Sequence, residues 1–339
     1  MTKADPKART NYDNTDWKKY QQGRPPYPQS FTELIYDYHR RHPSAGWERL
    51  VDIGAGSGIA ATNFMADFKI IHNSDPSPWN EQQARAFLST YAKENGLSPE
   101  LEFSQSTGEE AYKHVGESAA DLVIVATAAH FMDPDGLVEC AAKILRPGGT
   151  LAVYSYWIPS FPDRSENFNE VFAKTFDNLV LKALEVGNDA NRAKFLEVVK
   201  RRMTGAGCLD SLPLPAEHFE ETTRIYINSG QGEVPYKDLY QRLAAPGKQV
   251  GGVSRVSEND EIILYKSDED TQAEGWAFDA GKEWFPIFFN SMRAANSQMT
   301  QEEARDAYQE WEQIFDDECP NGTVRVYWPF YVALARKKL

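Results

Sequence analysis

Cysteine is scarce in this chain of 339 residues, and its scarcity limits the kinds of site that the chain can build. The cysteines, Cys140, Cys208 and Cys319, are far apart, and no pair has the short spacing of a zinc site. An odd number without a pairing framework also argues against a disulfide-bonded secreted domain. The same cysteine usage suits a reducing compartment, so we expect a cytoplasmic protein. No cluster of histidines, cysteines and carboxylates has metal-ligand spacing, so we expect no metal.

Positive charge is also in deficit, with 36 lysines and arginines against 50 aspartates and glutamates and a net charge of −14. A nucleic-acid-binding protein needs a basic face to neutralise phosphates, so this balance argues against such a partner. No apolar run reaches the roughly eighteen residues of a membrane span, and the polar N-terminus has no signal-peptide core. The expected partner is a small molecule, with no nucleic acid and no membrane, and the oligomeric state stays open.

The most informative stretch that the sequence does contain is a glycine turn in residues 49–58, Arg-Leu-Val-Asp-Ile-Gly-Ala-Gly-Ser-Gly. A short apolar run stops at three glycines in alternate positions, and a helical pattern over 59–68 follows. Glycines let the backbone pass close to a ligand, and a helix N-terminus favours negative charge. The pattern predicts a strand, a tight turn and a helix, with a nucleotide bound at Gly54, Gly56 and Gly58.

Two nucleotide-binding families use a turn of this kind. The dinucleotide fingerprint is G-x-G-x-x-G with an acid about twenty residues later, whereas the spacing here is G-x-G-x-G and an acid, Asp52, precedes the first glycine. The segment resembles motif I of class I S-adenosylmethionine (SAM)-dependent methyltransferases. That resemblance implies SAM as the cofactor, with Asp52 helping to hold its methionine end and the glycines admitting its adenosine.

Polar residues follow the next two predicted strands. Asp75 and Pro76 come after the second strand, where an acid can grip a ribose diol through two hydrogen bonds. An aspartate before a proline is also a common turn former, which is the structural alternative. Ser106 and Thr107 follow the third strand, where the resemblance implies contacts with adenine. Capping of the next helix explains these two residues equally well.

The fourth predicted strand, 121–126, is continuously apolar, as expected for a parallel strand covered on both faces. It leads to Thr127, which we place in the SAM site, and to His130, at the edge where open α/β sheets bind ligands. The fifth strand, 150–156, follows a Leu-Arg-Pro-Gly-Gly-Thr-Leu turn. That turn is a second hallmark of the methyltransferase family.

The predicted fold is α/β, a Rossmann-like seven-stranded class I methyltransferase sheet with helices on both faces and a helical cap after strand five. Strand six is predicted at 219–228, helices at 236–243 and 272–292, and a long antiparallel last strand at 323–335. The predicted divisions are an N-terminal strap and helix serving as a lid (1–45, with 1–15 disordered), a SAM-binding core (46–158), a substrate cap (159–320) and the C-terminal strand (321–339).

Four further segments narrow the resemblance to the fungal trans-aconitate methyltransferase type. They are Arg-Pro-Pro-Tyr-Pro at 24–28, Ala-His-Phe-Met-Asp at 129–133, Tyr-Ser-Tyr at 154–156 and Trp-Pro-Phe-Tyr-Val-Ala-Leu-Ala-Arg at 328–336. The resemblance covers residues 15–160 and the last strand, and the family usually has tryptophan where this chain has Phe131. It implies a small carboxylic acid or a related metabolite as the methyl acceptor.

Methyl transfer is an in-line displacement, so the protein mainly supplies proximity and a dry site. A carboxylate acceptor needs no base, whereas a hydroxyl or an ammonium does, and His130 is the histidine placed to serve. The alternative for His130 is a structural role in bonding nearby backbone. Arg24, reaching a carboxylate, and Tyr20 complete the predicted catalytic set. The predicted substrate-binding residues are Tyr27, Tyr156 and Trp157.

These observations predict a SAM-dependent methyltransferase that acts on a carboxylic acid, or on an oxygen or nitrogen of a secondary metabolite. One alternative is a SAM-binding regulator of secondary metabolism without turnover, which would use the aromatic-rich region 276–289 as an interaction surface rather than as a pocket roof. Another is an enzyme that uses SAM only as a fixed positive charge. A closed apolar cavity would favour an enzyme, and an exposed apolar patch would favour the regulator.

Overall fold

The structure, a computed structural model, describes residues 16–185, 189–202, 206–233, 236, 252–291 and 301–339. The predicted disordered segment 1–15 and, apart from residue 236, the predicted helix 236–243 lie outside these residues. None of the helices in the described part of the chain combines the length and the apolar character that a membrane span requires.

The centre of the fold is a mostly parallel sheet of eight strands among the described residues, in the order β3-β2-β1-β4-β5-β10-β6-β7. Only β10 runs antiparallel to its neighbours, β5 and β6. This arrangement confirms the Rossmann-like prediction, with one strand more than the predicted seven. The strands of this sheet are β1 (Arg49–Ile53), β2 (Ile70–Ser74), β3 (Glu100–Ser104), β4 (Ala120–Ala126), β5 (Leu145–Tyr156), β6 (Phe219–Ile227), β7 (Glu261–Tyr265) and β10 (Phe330–Lys337).

The additional strand is β7, which pairs in parallel with β6 at the edge of the sheet. Its apolar run, residues 262–265, lies in a polar, turn-rich stretch, and its burial is only partial. An edge strand with one neighbour needs less apolar sequence than a central strand, so its sequence signal was weak. Central β4 shows the contrast, because Leu122, Val123 and Ile124 are completely buried.

The predicted last strand, 323–335, is divided in two. β9 (Thr323–Tyr327) pairs with β8 (Ala277–Gly281) in a separate two-stranded sheet, and β10 alone enters the main sheet. The division falls at Trp328 and Pro329, since proline has no N–H to continue a ladder. The carbonyl of Pro329 instead accepts a hydrogen bond of 2.9 Å from the backbone N–H of Trp157.

Helices cover the sheet and extend over the edge where β1, β2, β4 and β5 end. Two of them follow β5 directly, which agrees with the predicted helical cap. The helices are α1 (Trp17–Gln22), α2 (Gln29–Arg40), α3 (Pro78–Glu94), α4 (Tyr112–Val115), α5 (Pro134–Ile144), α6 (Glu166–Glu185), α7 (Asp189–Arg202), α8 (Trp284–Ser291) and α9 (Gln301–Glu318).

The α-helix predicted at 59–68 is wrong. The glycine turn is followed by one 3₁₀ turn, Ala60–Asn63, and then by irregular turns. The hydroxyl of Thr62 donates to the carbonyl of Ile59 at 2.6 Å, and the amide of Asn63 donates to the carbonyl of Tyr27 at 3.1 Å. Such side-chain bonds compete with a regular helix, so no long helix dipole supports the site.

The helix predicted at 272–292 is also wrong, because glycines at 275 and 281 interrupt it and β8 and the shorter α8 take its place. Its aromatic residues do not line a pocket in the described structure. Phe285 and Phe288 are fully buried and pack against Phe172 of α6, and Phe285 also packs against Trp311 of α9. The aromatic-rich region is therefore a core beneath the cap, neither a roof nor an exposed surface.

A buried ion pair fastens the edge strand to the sheet. The Nε atom of Arg224 on β6 lies 2.5 Å from Oδ2 of Asp260, immediately before β7, and both side chains are almost completely buried. Arg224 also donates to the carbonyls of Leu209 and Leu212. Removing one partner of such a pair leaves an uncompensated charge in the interior.

Asp260→Asn is expected to lower the free energy of unfolding by about 3 to 5 kcal/mol, because Arg224 would stay buried without its counter-charge. Chemical denaturation measures this loss. Glu269→Ala, which breaks an exposed pair with Lys266, is the control and should change stability by no more than about 0.5 kcal/mol. Equal, small effects of both variants would contradict an anchoring role for Asp260.

Candidate functional site

A cavity of about 720 Å³ opens at the edge of the sheet where the parallel strands end. Its floor is the glycine turn and the ends of β2 and β4, its roof is α1 with the extended segment after it, and one wall comes from α7. The lining residues are Trp17, Tyr20, Gln21, Arg24, Pro25, Pro26, Tyr27, Gly54, Ala55, Gly56, Ser57, Ile59, Ala60, Asp75, Pro76, Asn80, Thr107, Gly108, Glu109, Ala126, Thr127, Ala128, Phe131, Met132, Tyr156, Glu197, Val198 and Arg201.

The glycine turn has a backbone that other residues could hardly adopt. Gly54, Gly56 and Gly58 have φ angles of 74°, 56° and 79°, in the left-handed region. A Cβ on Gly58 would lie 2.8 Å from a methyl carbon of Leu88, and one on Gly56 would meet the ring of Trp17 at 3.0 Å. The glycines therefore serve both the tight turn and the close approach of neighbouring groups.

Asp75 fastens the end of β2 to the glycine turn. Its Oδ2 accepts a hydrogen bond of 3.0 Å from the N–H of Gly56, and its Oδ1 accepts from the N–H of Ser77 at 2.9 Å and from the amide of Asn80 at 3.0 Å. The carboxylate is almost fully buried and still contributes to the cavity wall. It can therefore hold the turn and meet a ligand at the same time.

Asp52 is a buried acidic group beside the glycine turn. Its side chain is completely buried at the end of β1, and within the described residues neither of its oxygens has a hydrogen-bond partner. Burial, and then the negative charge of Asp75, raises its pKa from 3.8 to about 8. A buried carboxyl without partners is well suited to a positively charged ligand.

The roof is bound to the floor by α1. The indole of Trp17 lies over Gly56, and the amide of Gln21 donates to the hydroxyl of Ser57 at 3.4 Å. At the far end of the cavity, the hydroxyls of Tyr20 and Tyr156 are 3.1 Å apart. Burial raises the pKa of Tyr156 well above its ordinary value, so this hydroxyl keeps its proton.

Arg24 lies among aromatic rings. Its guanidinium carbon is 4.7 Å from the ring centre of Tyr20, 5.8 Å from that of Tyr156 and 5.9 Å from that of Phe288. Its Nη2 also donates to the carbonyl of Ser291 at 3.3 Å. These contacts attach the segment after α1 to β5 and α8 through cation–π attraction.

Tyr27 and Thr127 meet across the cavity floor, with their hydroxyl oxygens 3.3 Å apart. Thr127 has a φ of 51°, an uncommon value for a residue with a branched side chain, directly after β4. Burial raises the pKa of Tyr27 well above its ordinary value. The strap and the end of β4 are therefore joined by protonated hydroxyl groups.

His130 lies behind the cavity wall. Its ring is buried and is absent from the lining, and it packs against the ring of Phe131 at a centroid distance of 4.0 Å. Burial, with smaller contributions from the guanidinium groups of Arg202 and Arg201, holds the pKa of His130 well below its ordinary value. The histidine is a neutral group that Phe131 separates from the cavity.

Comparison with known proteins shows which proteins have a similar sequence. Residues 51–153, which contain the three glycines of the turn, strands β2 to β4 and most of β1 and β5, match the family described as a methyltransferase domain. The chain is 25% identical to methyltransferase cfoB of Aspergillus candidus, over 96% of each chain. It is 27% identical to methyltransferase gedG of Aspergillus terreus, over 81% of this chain and 78% of that one.

The protein is a SAM-dependent methyltransferase. A solved structure supports the fold: a candidate type II methyltransferase from Anaeromyxobacter dehalogenans superposes with a TM-score of 0.51 at 14% identity. The alignment covers 92% of this chain and 97% of that one.

The structure brings most of the predicted site residues of the methyltransferase to one cavity, but not all of them. Asp52, Gly58 and His130 are not among the lining residues. Ser106 is not among them either, and its hydroxyl donates to the carbonyl of Thr107. Trp157 is buried, with the guanidinium of Arg202 over its ring. The predicted residues in the lining are Tyr20, Arg24, Tyr27, Gly54, Gly56, Asp75, Pro76, Thr107, Thr127 and Tyr156.

Several lining residues of the methyltransferase were not predicted. Trp17 and Gln21 lie on one face of the short α1, for which Asp16 is the N-cap. Arg201 belongs to a Lys-Arg-Arg run at the end of α7. A capping aspartate before an aromatic residue and a basic helix end were available signals, but neither indicates which cavity a helix will cover.

The buried Asp52 predicts an unusual pH dependence of stability. Because its pKa is 3.8 in the unfolded reference and about 8 in the folded protein, the folded state binds the additional proton between those values. The contribution of Asp52 to stability therefore falls as the pH rises through this window. An asparagine side chain at this position cannot ionise and avoids that loss.

The free energy of unfolding of ligand-free Asp52→Asn should exceed that of the parent by more at about pH 8.5 than at about pH 5. We expect this excess to grow by at least about 1 kcal/mol between the two pH values. Denaturation at both pH values measures the difference, and Asp67→Asn, an exposed carboxylate bonded to Tyr36, is the control. If the difference in free energy of unfolding between Asp52→Asn and the parent did not grow with pH, Asp52 would be ionised in the folded protein at both pH values.

Proposed function

We propose that the protein transfers the methyl group of SAM to an oxygen atom of a small organic acceptor bound in the cavity beneath α1. The observation that carries this proposal is the composition of the wall. The described lining contains the glycine turn and the Asp75 carboxylate but no histidine, lysine or cysteine. Such a site supports transfer to a nucleophile that needs no deprotonation.

The cofactor side fits SAM on observations of the chain itself. The ammonium of its methionine end would compensate Asp52, whose buried oxygens lack partners in the described structure. Gly54 and Gly56 line the cavity, where they would border the adenosine, and Asp75 with Pro76 would hold the ribose. Thr107, supported by Ser106, would contact the adenine, and Thr127 would border the methionine end. In this proposal residues 46–158 bind the cofactor and 159–320 complete the acceptor side.

Bound SAM supplies an activated methyl group: the acceptor's lone pair forms a bond to the methyl carbon as the sulfur–carbon bond breaks, and its electron pair goes to the sulfur. The chain contributes position and exclusion of water. Trp17 and Gln21 close the roof on the glycine turn, and Tyr20 with Tyr156 bounds the acceptor end. Arg24 holds this roof in place by its contacts with aromatic rings.

The acceptor side lacks a free base in the described lining. The protons of Tyr27 and Tyr156 are held tightly, because burial raises both pKa values. The Glu109 carboxylate accepts from the N–H of Asp133 at 2.8 Å, and Glu197 pairs with Lys200 at 2.8 Å. These contacts support an acceptor oxygen that is ionised before it binds. The resemblance to the trans-aconitate type favours a carboxylate, and a cytoplasmic location would supply SAM.

A transfer assay with methyl-labelled SAM tests this proposal against small carboxylic acids, phenols and amines. We expect label on an acid or an acidic phenol. Release of that label as methanol in mild base identifies a carboxyl ester, and a stable product identifies an ether. Label only on amines would contradict oxygen transfer. Conversion of an acceptor without loss of the SAM methyl group would show that SAM acts as a fixed charge.

Asp75→Ala should weaken SAM binding by roughly tenfold to a hundredfold, since it removes hydrogen bonds to the ribose and releases the N–H of Gly56. Calorimetric titration measures the dissociation constant. Asp67→Ala removes a carboxylate outside the cavity lining and should leave it unchanged. If the Asp75 and Asp67 variants bound SAM equally well, the ribose assignment would be wrong.

His130→Gln should retain kcat to within about threefold of the parent, because the ring lies behind Phe131 and the acceptor needs no base. A general base would contribute roughly a hundredfold to ten-thousandfold. The pH profile of kcat is the second measurement and should keep its shape. If the variant lost an inflection on the acidic limb, where a general base takes up its proton, His130 would be restored as the base.

A further inference from the structure

The last turn of α7 is attached to the ends of two neighbouring strands by consecutive arginines. Nη1 of Arg201 donates to the carbonyl of His130 at 3.2 Å, in the loop after β4. Nη2 of Arg202 donates to the carbonyl of Tyr156 at 3.0 Å, at the end of β5, and its guanidinium lies 5.0 Å from the ring centre of Trp157. Arg201 is thus held at the sheet edge by its own bond to the loop after β4, and Arg202 is held by a separate bond to β5.

Of these two arginines only Arg201 lines the cavity. Its hydrogen bond to His130 uses one guanidinium nitrogen, and within the described part of the chain no carboxylate lies at ion-pairing distance from it. Other arginines that are attached to acidic neighbours show the contrast, such as Arg224 with Asp260 and Arg255 with Asp135. In a chain with a net charge of −14, a cation in a cavity without an acidic partner is unusual.

A cation in the cavity that has no acidic partner among the described residues meets a requirement of the proposed function, and the inference about Arg201 rests on that function. An acceptor that arrives ionised carries a negative charge into a largely apolar cavity, and such a charge is costly unless it is paired. Guanidinium groups bind carboxylates and related oxyanions through charge-assisted hydrogen bonds. Arg24 is less suited to this task, because its guanidinium lies among the rings of Tyr20, Tyr156 and Phe288.

We propose that Arg201 binds the anionic group of the acceptor, so that the enzyme selects organic oxyanions, of which carboxylates are the leading class. The specificity of the reaction is then set by the cap, because α7 delivers the arginine. His130 contributes through its carbonyl oxygen, which orients Arg201, rather than through its ring.

Ligand binding without turnover tests this proposal. The probes are 8-anilinonaphthalene-1-sulfonate, whose sulfonate stands in for the acceptor anion, and N-phenyl-1-naphthylamine, which has the same rings without the charge. Both are titrated by fluorescence against the enzyme saturated with S-adenosylhomocysteine. We expect Arg201→Gln to weaken binding of the anionic probe by about tenfold or more and to leave the neutral probe within about twofold. Arg201→Lys should retain part of the preference.

Arg202→Gln is the matched control, because it removes a positive charge and a carbonyl bond from the same helical turn without changing the cavity lining. It should leave the ratio of the two affinities unchanged. An equal loss of anion preference in Arg202→Gln would show a positional or field effect and would overturn direct binding by Arg201. A preference lost in Arg24→Gln but kept in Arg201→Gln would also overturn it.

The test separates this proposal from the proposed function. Binding of S-adenosylhomocysteine to the parent enzyme is measured first by calorimetry, and its absence would reject the SAM site whatever the probes do. With that binding intact, equal effects of Arg201→Gln on the charged and the neutral probe would reject Arg201 as the anion site and leave methyl transfer standing.

Discussion

The burial of the Asp52 carboxyl beneath the glycine turn is the constraint on which the rest of the site depends. The carboxyl lies inside the sheet at the end of β1, where the described structure offers its oxygens no hydrogen bond. Its proximity to Asp75 raises the cost of a second negative charge. The folded protein without a ligand therefore holds a buried carboxyl without hydrogen bonds from the described residues next to the glycine turn, and the proposed function places the ammonium of SAM there.

The elements around Asp52 follow from this arrangement. Asp75 ties β2 to the turn, the left-handed glycines allow the backbone to pass under a ligand, and α1 covers the turn with Trp17. The roof is attached by aromatic and hydroxyl contacts rather than by ion pairs of exposed residues. Since such contacts depend little on salt, the roof should stay attached in conditions that weaken surface electrostatics.

The acceptor side is built from a different part of the chain and by a different principle. Its apolar surfaces exclude water, and its cations come from the strap and from α7. In the proposed reaction the acceptor arrives ionised, which fits a described lining without histidine, lysine or cysteine. In this proposal, methyl transfer depends on a cavity that positions the two reactants and on a fixed positive charge, more than on an acid and a base.

The parts of this account that could be predicted from sequence are those in which a short segment determines its own structure. Alternating glycines after an apolar run predicted the turn, and Asp75 was placed by its position after β2. The edge strand β7 was missed because its apolar run is short. The last strand was predicted as continuous, because a single proline is a weak signal for the division that the structure shows. Residues whose role depends on tertiary packing were beyond prediction: the ring of His130 is buried outside the cavity lining, and Arg201 reaches the cavity only through the packing of α7.

The central claim is that Asp52 is protonated in the free protein and becomes ionised against the ammonium group of SAM. Calorimetric titration of SAM at about pH 6.5, in buffers with different ionisation enthalpies, measures the number of protons released on binding. The account predicts release of close to one proton per site, and little release in Asp52→Asn. Binding of SAM without proton release in the parent protein would contradict the account, because Asp52 would then be ionised before the cofactor arrives.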